Sequence, residues 1–140
     1  MIRQYGAMRH RSRIAVLALG LTAVALLSGC SFSATTLAVF ETERETEDEL
    51  PPLEDDSYGA VDVESSRYVG EYEGVSLWVT KGTDSPACIV AITDPEDDWV
   101  VGCGGLPVRV TGSGPTFEFR ADDWPAPEGM TRISDNVYAE

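Results

Sequence analysis

The chain has 140 residues, 24 acidic against 10 basic side chains, a formal net charge of −14 and an apolar content of 43%. That length fits one small domain with a targeting segment in front of it. So negative a surface repels phosphate backbones and anionic head groups, which excludes nucleic acid as a partner and leaves charge unable to hold the chain on a membrane.

The first 13 residues carry Arg3, Arg9, Arg11 and Arg13, and no acid occurs before Glu41. Without these four arginines the formal charge falls from −14 to −18. Ile14–Leu27 is then a 14-residue apolar run. It is too short to span the hydrocarbon core as a helix, which takes about 20 residues. A basic start, a short apolar run and small residues at its end are the signature of an export signal. The run ends in Leu27-Ser28-Gly29-Cys30, which resembles the lipobox of bacterial lipoproteins. The resemblance implies a diacylglyceryl group on the Cys30 thiol and cleavage between Gly29 and Cys30. Two or more acyl chains hold a protein on a bilayer stably, at about 0.8 kcal/mol per buried methylene. The expected location is therefore the cell membrane, lipid-anchored and facing the extracytoplasmic side. An uncleaved membrane helix extending to Phe40 is the alternative, and the seven Ser, Thr, Gly and Cys residues within Ser28–Thr36 argue against it.

Residues Glu41–Asp56 read ETERETEDELPPLEDD. Thr42 and Glu45 have capping-box spacing for a short helix ending before Pro51-Pro52. Repulsion between Glu41 and Glu45, and between Glu45 and Glu49, opposes that helix. With few apolar groups to bury, the segment reads as a solvated tether. Docking of Leu37, Val39, Phe40, Leu50 and Leu53 onto the domain is the alternative. The expected organisation is a signal peptide over 1–29, a lipid-anchored acidic tether over 30–64 and a small β domain over 65–140.

From Arg67 the texture changes. The runs Arg67–Tyr72, Val75–Thr80, Ala87–Thr93, Trp99–Cys103, Val108–Thr111 and Thr116–Arg120 are rich in Val, Ile, Thr and aromatic residues, with Gly, Pro and Asp clusters between them. Glu73-Gly74 sits at hairpin spacing, and a last strand is expected near Arg132–Ala139. The fold class expected is all-β: a small antiparallel sheet, sandwich or partial barrel of about six to seven short strands with one disulfide.

Two hairpins set their own register. A turn at Asp94-Pro95-Glu96-Asp97 opposes Thr93 to Asp98, Ile92 to Trp99, Val90 to Val101 and Cys88 to Cys103. The last two cysteines then face each other and share a face with the apolar residues. Directly opposed residues sit within disulfide reach. Cys30 goes to lipid, so the remaining cysteine count is even. The second hairpin, around Gly112-Ser113-Gly114-Pro115, pairs Val110 with Phe117 and Val108 with Phe119 on a buried face. It pairs Arg109 with Glu118 on a wet face, as a surface ion pair of little energetic weight.

The only histidine is His10, ahead of the expected cleavage. That excludes His-activated nucleophiles and H-E-x-x-H zinc chemistry from the mature part. Neither Asp94–Asp98 nor Asp122-Asp123 has EF-hand spacing, so both are expected to be solvated acidic turns rather than Ca²⁺ sites. No catalytic residue, metal or cofactor is assigned. Trp78 and Trp99 are expected in the core, whereas Trp124, between Asp123 and Pro125, is the candidate for an exposed binding surface. More loosely, Ser66-Arg67-Tyr68-Val69-Gly70-Glu71, Gly74-Val75, the Cys88–Cys103 segment, Trp124 and Arg132-Ile133-Ser134-Asp135-Asn136 resemble small lipoproteins and secreted proteins of actinobacteria, a group with no activity to carry over. The expected function is a lipid-anchored binding or structural module at the envelope with an unidentified protein or ligand partner, and not an enzyme. An accessory subunit or sensor of a membrane complex and a small carboxylate-based hydrolase are the alternatives.

Overall fold

A computed structural model describes residues 35–54 and 57–140. The expectations for the signal segment, for cleavage at Gly29-Cys30 and for lipid on Cys30 lie outside those residues.

The described chain is all-β, with two antiparallel sheets of four strands each. The first sheet is a meander of β1 (Val61–Tyr72), β2 (Val75–Gly82), β3 (Ala87–Asp94) and β4 (Asp98–Gly104). The second contains β5 (Val108–Thr111), β6 (Thr116–Phe119), β7 (Thr131–Arg132) and β8 (Val137–Ala139), in the order β5-β6-β8-β7. Eight strands therefore stand where six to seven were expected. The expected last strand is a small hairpin of two strands, because Arg132 pairs back onto Tyr138.

The β1–β2 turn is Glu73-Gly74, with φ of 51° and 81°. Two successive positive φ values give the turn twist that matches paired strands, and glycine at the second position adopts it without penalty. In the β3–β4 hairpin, Cys88 faces Cys103, Val90 faces Val101 and Ile92 faces Trp99, as the turn required. The expected Thr93–Asp98 pair does not form. Asp94 pairs with Asp98 instead, and Thr93 is left over as a bulge. The Asp94 carboxylate accepts the Glu96 N–H at 2.9 Å, a side-chain turn that tightens the loop by one residue. The β5–β6 register is as expected throughout, from Val108–Phe119 to Thr111–Thr116.

One core lies between the sheets. Val75, Leu77, Val79, Ala87, Ile89 and Ala91 from the first meet Val108, Val110, Phe117, Phe119, Val137 and Ala139 from the second. Gly102 allows the chain to change sheets closely: a Cβ there would lie 2.2 Å from Val110 Cγ1.

The stretch before β1 is the main departure from expectation. Residues 35–54 are not a solvated tether. Leu37, Val39 and Phe40 pack against the inter-sheet core, and Leu50 and Leu53 pack with Tyr58, Tyr68, Trp99 and Val101 around Trp78, Val90 and Ile92 on the outer face of the first sheet. The docking alternative is the one realised. Two short 3-10 turns, Ala38–Glu41 and Thr46–Asp48, stand where Thr42 and Glu45 have the spacing for a short helix. Thr42 does not cap Glu45; its hydroxyl donates back to the Val39 carbonyl at 2.9 Å. The expected domain boundary at 64/65 falls inside β1, which already begins at Val61. A wide bulge over Val63–Ser66 hides this strand start from periodicity, since only Thr80 lies between the partners of Asp62 and Arg67.

Candidate functional site: the Trp124 loop and the strap

The first candidate is the loop after β6. Arg120 leaves the strand with its N–H donated to the Asn136 carbonyl at 2.8 Å, and Asn136 Nδ2 donates to the Arg120 carbonyl at 3.0 Å. Asn136 Nδ2 also donates to Asp122 Oδ1 at 2.8 Å, while Asp122 Oδ2 accepts the Ala38 N–H at 2.8 Å. Asp122 is thus a structural clamp between the loop and Ala38 in the stretch before β1, not a free carboxylate. Asp123 follows with φ of 60°. That left-handed residue is one Asp tolerates better than most, and it throws the next side chain outward.

Trp124 is 39% exposed and is the one large exposed aromatic among the described residues. Pro125 and Ala126 beside it are also exposed, so the loop tip is uncharged between Asp123 and Glu128. The Arg120 guanidinium stacks 5.6 Å from the Trp124 ring centre, which biases the indole orientation without covering it. A shallow open groove runs from the ring past Met130, Arg132 and Tyr138 to Ala38.

Behind the loop lies an ion cluster that the alternation rule misplaced. Glu118 was expected on a wet face, yet its side chain is only 4% exposed. Arg109 Nη2 and Nε reach Glu118 Oε2 at 2.6 and 2.9 Å, and Arg120 Nη1 reaches Oε1 at 2.7 Å. The hydrogen bond and charge of Glu118 hold the Arg109 guanidinium above its ordinary pKa. Tyr138 pairs with Glu118 across β6 and β8 and is buried with it. Both carboxylate oxygens are engaged by arginines, an arrangement that fixes structure and leaves no lone carboxylate to move a proton.

The second candidate is the strap itself, residues 37–54 with Tyr58. Asp48 is buried; its Oδ1 accepts the Tyr68 N–H at 2.7 Å and its Oδ2 the Glu45 N–H at 2.8 Å. Ser66 Oγ donates to the Asp48 carbonyl at 2.6 Å, and Trp78 Nε1 donates to the Glu47 carbonyl at 3.2 Å. Arg67 is buried too, and its guanidinium donates to the Thr42 carbonyl at 2.6 Å and the Ser66 carbonyl at 2.9 Å. Two of these bonds occupy backbone groups of β1, the Tyr68 N–H and the Ser66 carbonyl, on an edge strand of the kind that otherwise recruits another strand. Tyr58 donates to the Pro51 carbonyl at 2.8 Å, and burial pushes its hydroxyl up to about 12. The composition of residues 41–56 concealed all of this, because the acids outnumber the few apolar side chains that dock.

Cys88 and Cys103 form a disulfide with Cα atoms 4.0 Å apart. Cys88 is buried, and both sulfurs lie 3.7 Å from the Ala60 carbonyl oxygen, where the strap leads into β1. Of the acidic turns, Asp98 accepts the Ser113 hydroxyl at 2.8 Å with either oxygen. Among the described residues no three His, Cys, Asp or Glu side chains converge as a metal site requires. No described helix is long and apolar enough to cross a membrane. Comparison with protein-family models, with curated proteins and with solved structures finds no match to this chain.

Proposed function

We propose that the protein is a lipid-anchored extracytoplasmic module, attached through Cys30, that acts at the envelope by binding or by a structural role rather than by catalysis. The observation that carries this reading is the Cys88–Cys103 disulfide. It accounts for two of the three cysteines and leaves Cys30, directly after the apolar run and Leu27-Ser28-Gly29, as the remaining thiol. A structural disulfide also persists in compartments outside the cytoplasm, where an export signal would deliver the chain. Both buried carboxylates, Asp48 and Glu118, are taken up in structural hydrogen bonds, which favours a binding module over a two-carboxylate hydrolase. Service as an accessory subunit or sensor of a membrane complex is a special case of the same reading.

Metabolic labelling with a fatty-acid analogue tests the anchor. The wild-type chain takes up label, and Cys30→Ala loses it and leaves the membrane fraction or accumulates with its signal segment attached. Equal label on both chains overturns the reading.

A further inference from the structure

Very little chain joins the proposed anchor to the folded domain. The Asp122 N–H donates to the Thr36 carbonyl at 3.1 Å, and the Ala38 N–H donates to Asp122 Oδ2 at 2.8 Å. Thr36 follows Cys30 by six positions. Fully extended, six residues reach no more than about 20 Å. A free tether running to residue 64 would have reached about 115 Å. The strap therefore acts as a reel: it takes up most of the acidic segment and delivers the chain to the domain at one place, beside Asp122.

That place is two residues from Trp124. Ala38, Asp122, Asp123, Trp124 and Met130 line one open groove, so the attachment point and the one large exposed aromatic among the described residues occupy the same end of the molecule. We infer that this end is the membrane-facing pole of the domain, and that Trp124 with Pro125 and Ala126 seats in the head-group layer of the bilayer that carries the anchor. The inference rests on the reading of Cys30 as lipid-bearing. An indole is suited to that layer, because its ring is apolar and its N–H needs a polar partner. Each oxygen of the nearby Asp122 carboxylate accepts one internal N–H, so the group is held inward by the fold. Arg120 stands beneath the ring, and Arg132 in the groove is paired with Asp135 at 2.6 Å, while Asp123 keeps the groove acidic beside an uncharged tip.

Charge selects the kind of surface. Beyond residue 29 the formal charge is −18, so anionic lipid repels the domain and a zwitterionic head group suits it. The contact is then weak by itself and made effective by the leash, which converts a marginal affinity into an intramolecular one.

The test uses the full lipidated protein, purified from membranes and reconstituted in phosphatidylcholine vesicles containing a nitroxide lipid. Cys30 carries lipid and Cys88–Cys103 is bonded, so Ala126→Cys or Gly114→Cys supplies the only free thiol for an environment-sensitive fluorophore. Ala126 is in the loop tip; Gly114 is in the turn at the other end of the β5–β6 hairpin, where a side chain meets open space. The probe at 126 is expected to be blue-shifted and quenched at least about twofold more than the probe at 114, with the difference shrinking when phosphatidylglycerol replaces phosphatidylcholine. Equal quenching in vesicles that float with the protein overturns the orientation and leaves the anchor standing. Failure of the protein to float with vesicles, as Cys30→Ser fails, overturns the anchor and the inference together. Shielding of position 126 in native membranes but not in vesicles assigns the surface to a protein partner and overturns the bilayer contact.

Discussion

The two sheets cover their outer faces by different means. In the first, the cover is apolar and comes from a distant stretch of chain: Leu50, Leu53 and Tyr58 close over Trp78, Val90 and Ile92. Every residue from Ala87 to Ile92 is buried, so β3 has no wet face before its exposed end at Thr93 and Asp94. In the second, the cover is polar and comes from chain next to the strands: Arg109 and Arg120 close over Glu118. The apolar cover adds hydrophobic burial, on the order of 1.5–3 kcal/mol for each large side chain fully removed from water. The polar cover adds geometry more than energy, since desolvation of the charges offsets much of their attraction. Alternation in a strand thus reports which residues share a face, but not whether that face is wet.

The largest effect is expected where the two sheets share a core. Phe119→Ala removes a fully buried ring that meets Phe40 edge-on at 6.3 Å, and should cost about 3–5 kcal/mol in denaturant unfolding. Both sheets should melt together; two separate transitions would show that they are independent units. Next, replacing Cys88 and Cys103 with Ala should lower the unfolding free energy by about 2–4 kcal/mol. Mass spectrometry of the non-reduced protein checks the bond directly, and two alkylatable thiols would remove the basis of this prediction.

A smaller effect separates the covers. Asp48→Ala leaves the Tyr68 and Glu45 N–H groups without their carboxylate and should cost about 1–3 kcal/mol. The loss should appear as easier proteolysis within residues 41–54, with the second sheet unaffected. Cleavage at the wild-type rate would show that Asp48 does not hold the strap. The smallest effect is on pH dependence. The Tyr58 hydroxyl titrates near 12 in the folded chain against 10 in an open one. Its contribution is complete below pH 10 and is lost as pH rises through about 12. Tyr58→Phe should flatten that part of the stability curve while costing about 1 kcal/mol near neutrality; an unchanged alkaline slope would assign it to other groups.

The comparison also marks where the sequence is readable. The β5–β6 register and the Cys88–Cys103 opposition follow from turn position and alternation, which are local. The Thr93 bulge is missed because a single Asp94 side chain, bonded to the Glu96 N–H, shortens the loop. The burial of Glu118 is missed because it depends on Arg120 and on β8, elements whose placement alternation in β5 and β6 does not encode. The docking of the strap is legible only as the lesser alternative, because its apolar residues are spaced irregularly among acids and divide between the inter-sheet core and the outer face of the first sheet. Trp124 is readable as exposed from Asp123 and Pro125 around it. The clamp from Asp122 to Ala38 and Asn136, which brings the strap to that loop, leaves no signal in spacing at all.

The central claim is that residues 37–54, with Tyr58, are a layer of the fold and not a leash. Native-state hydrogen exchange at the Tyr68 amide tests it most directly, because that N–H lies on the outer edge of β1 and its partner is Asp48 Oδ1. The account predicts that the Tyr68 amide is slow in the wild type, becomes fast in Asp48→Ala, and that the Val79 amide in central β2 stays slow in both. Exchange of the wild-type Tyr68 amide at the rate of an open chain would contradict it.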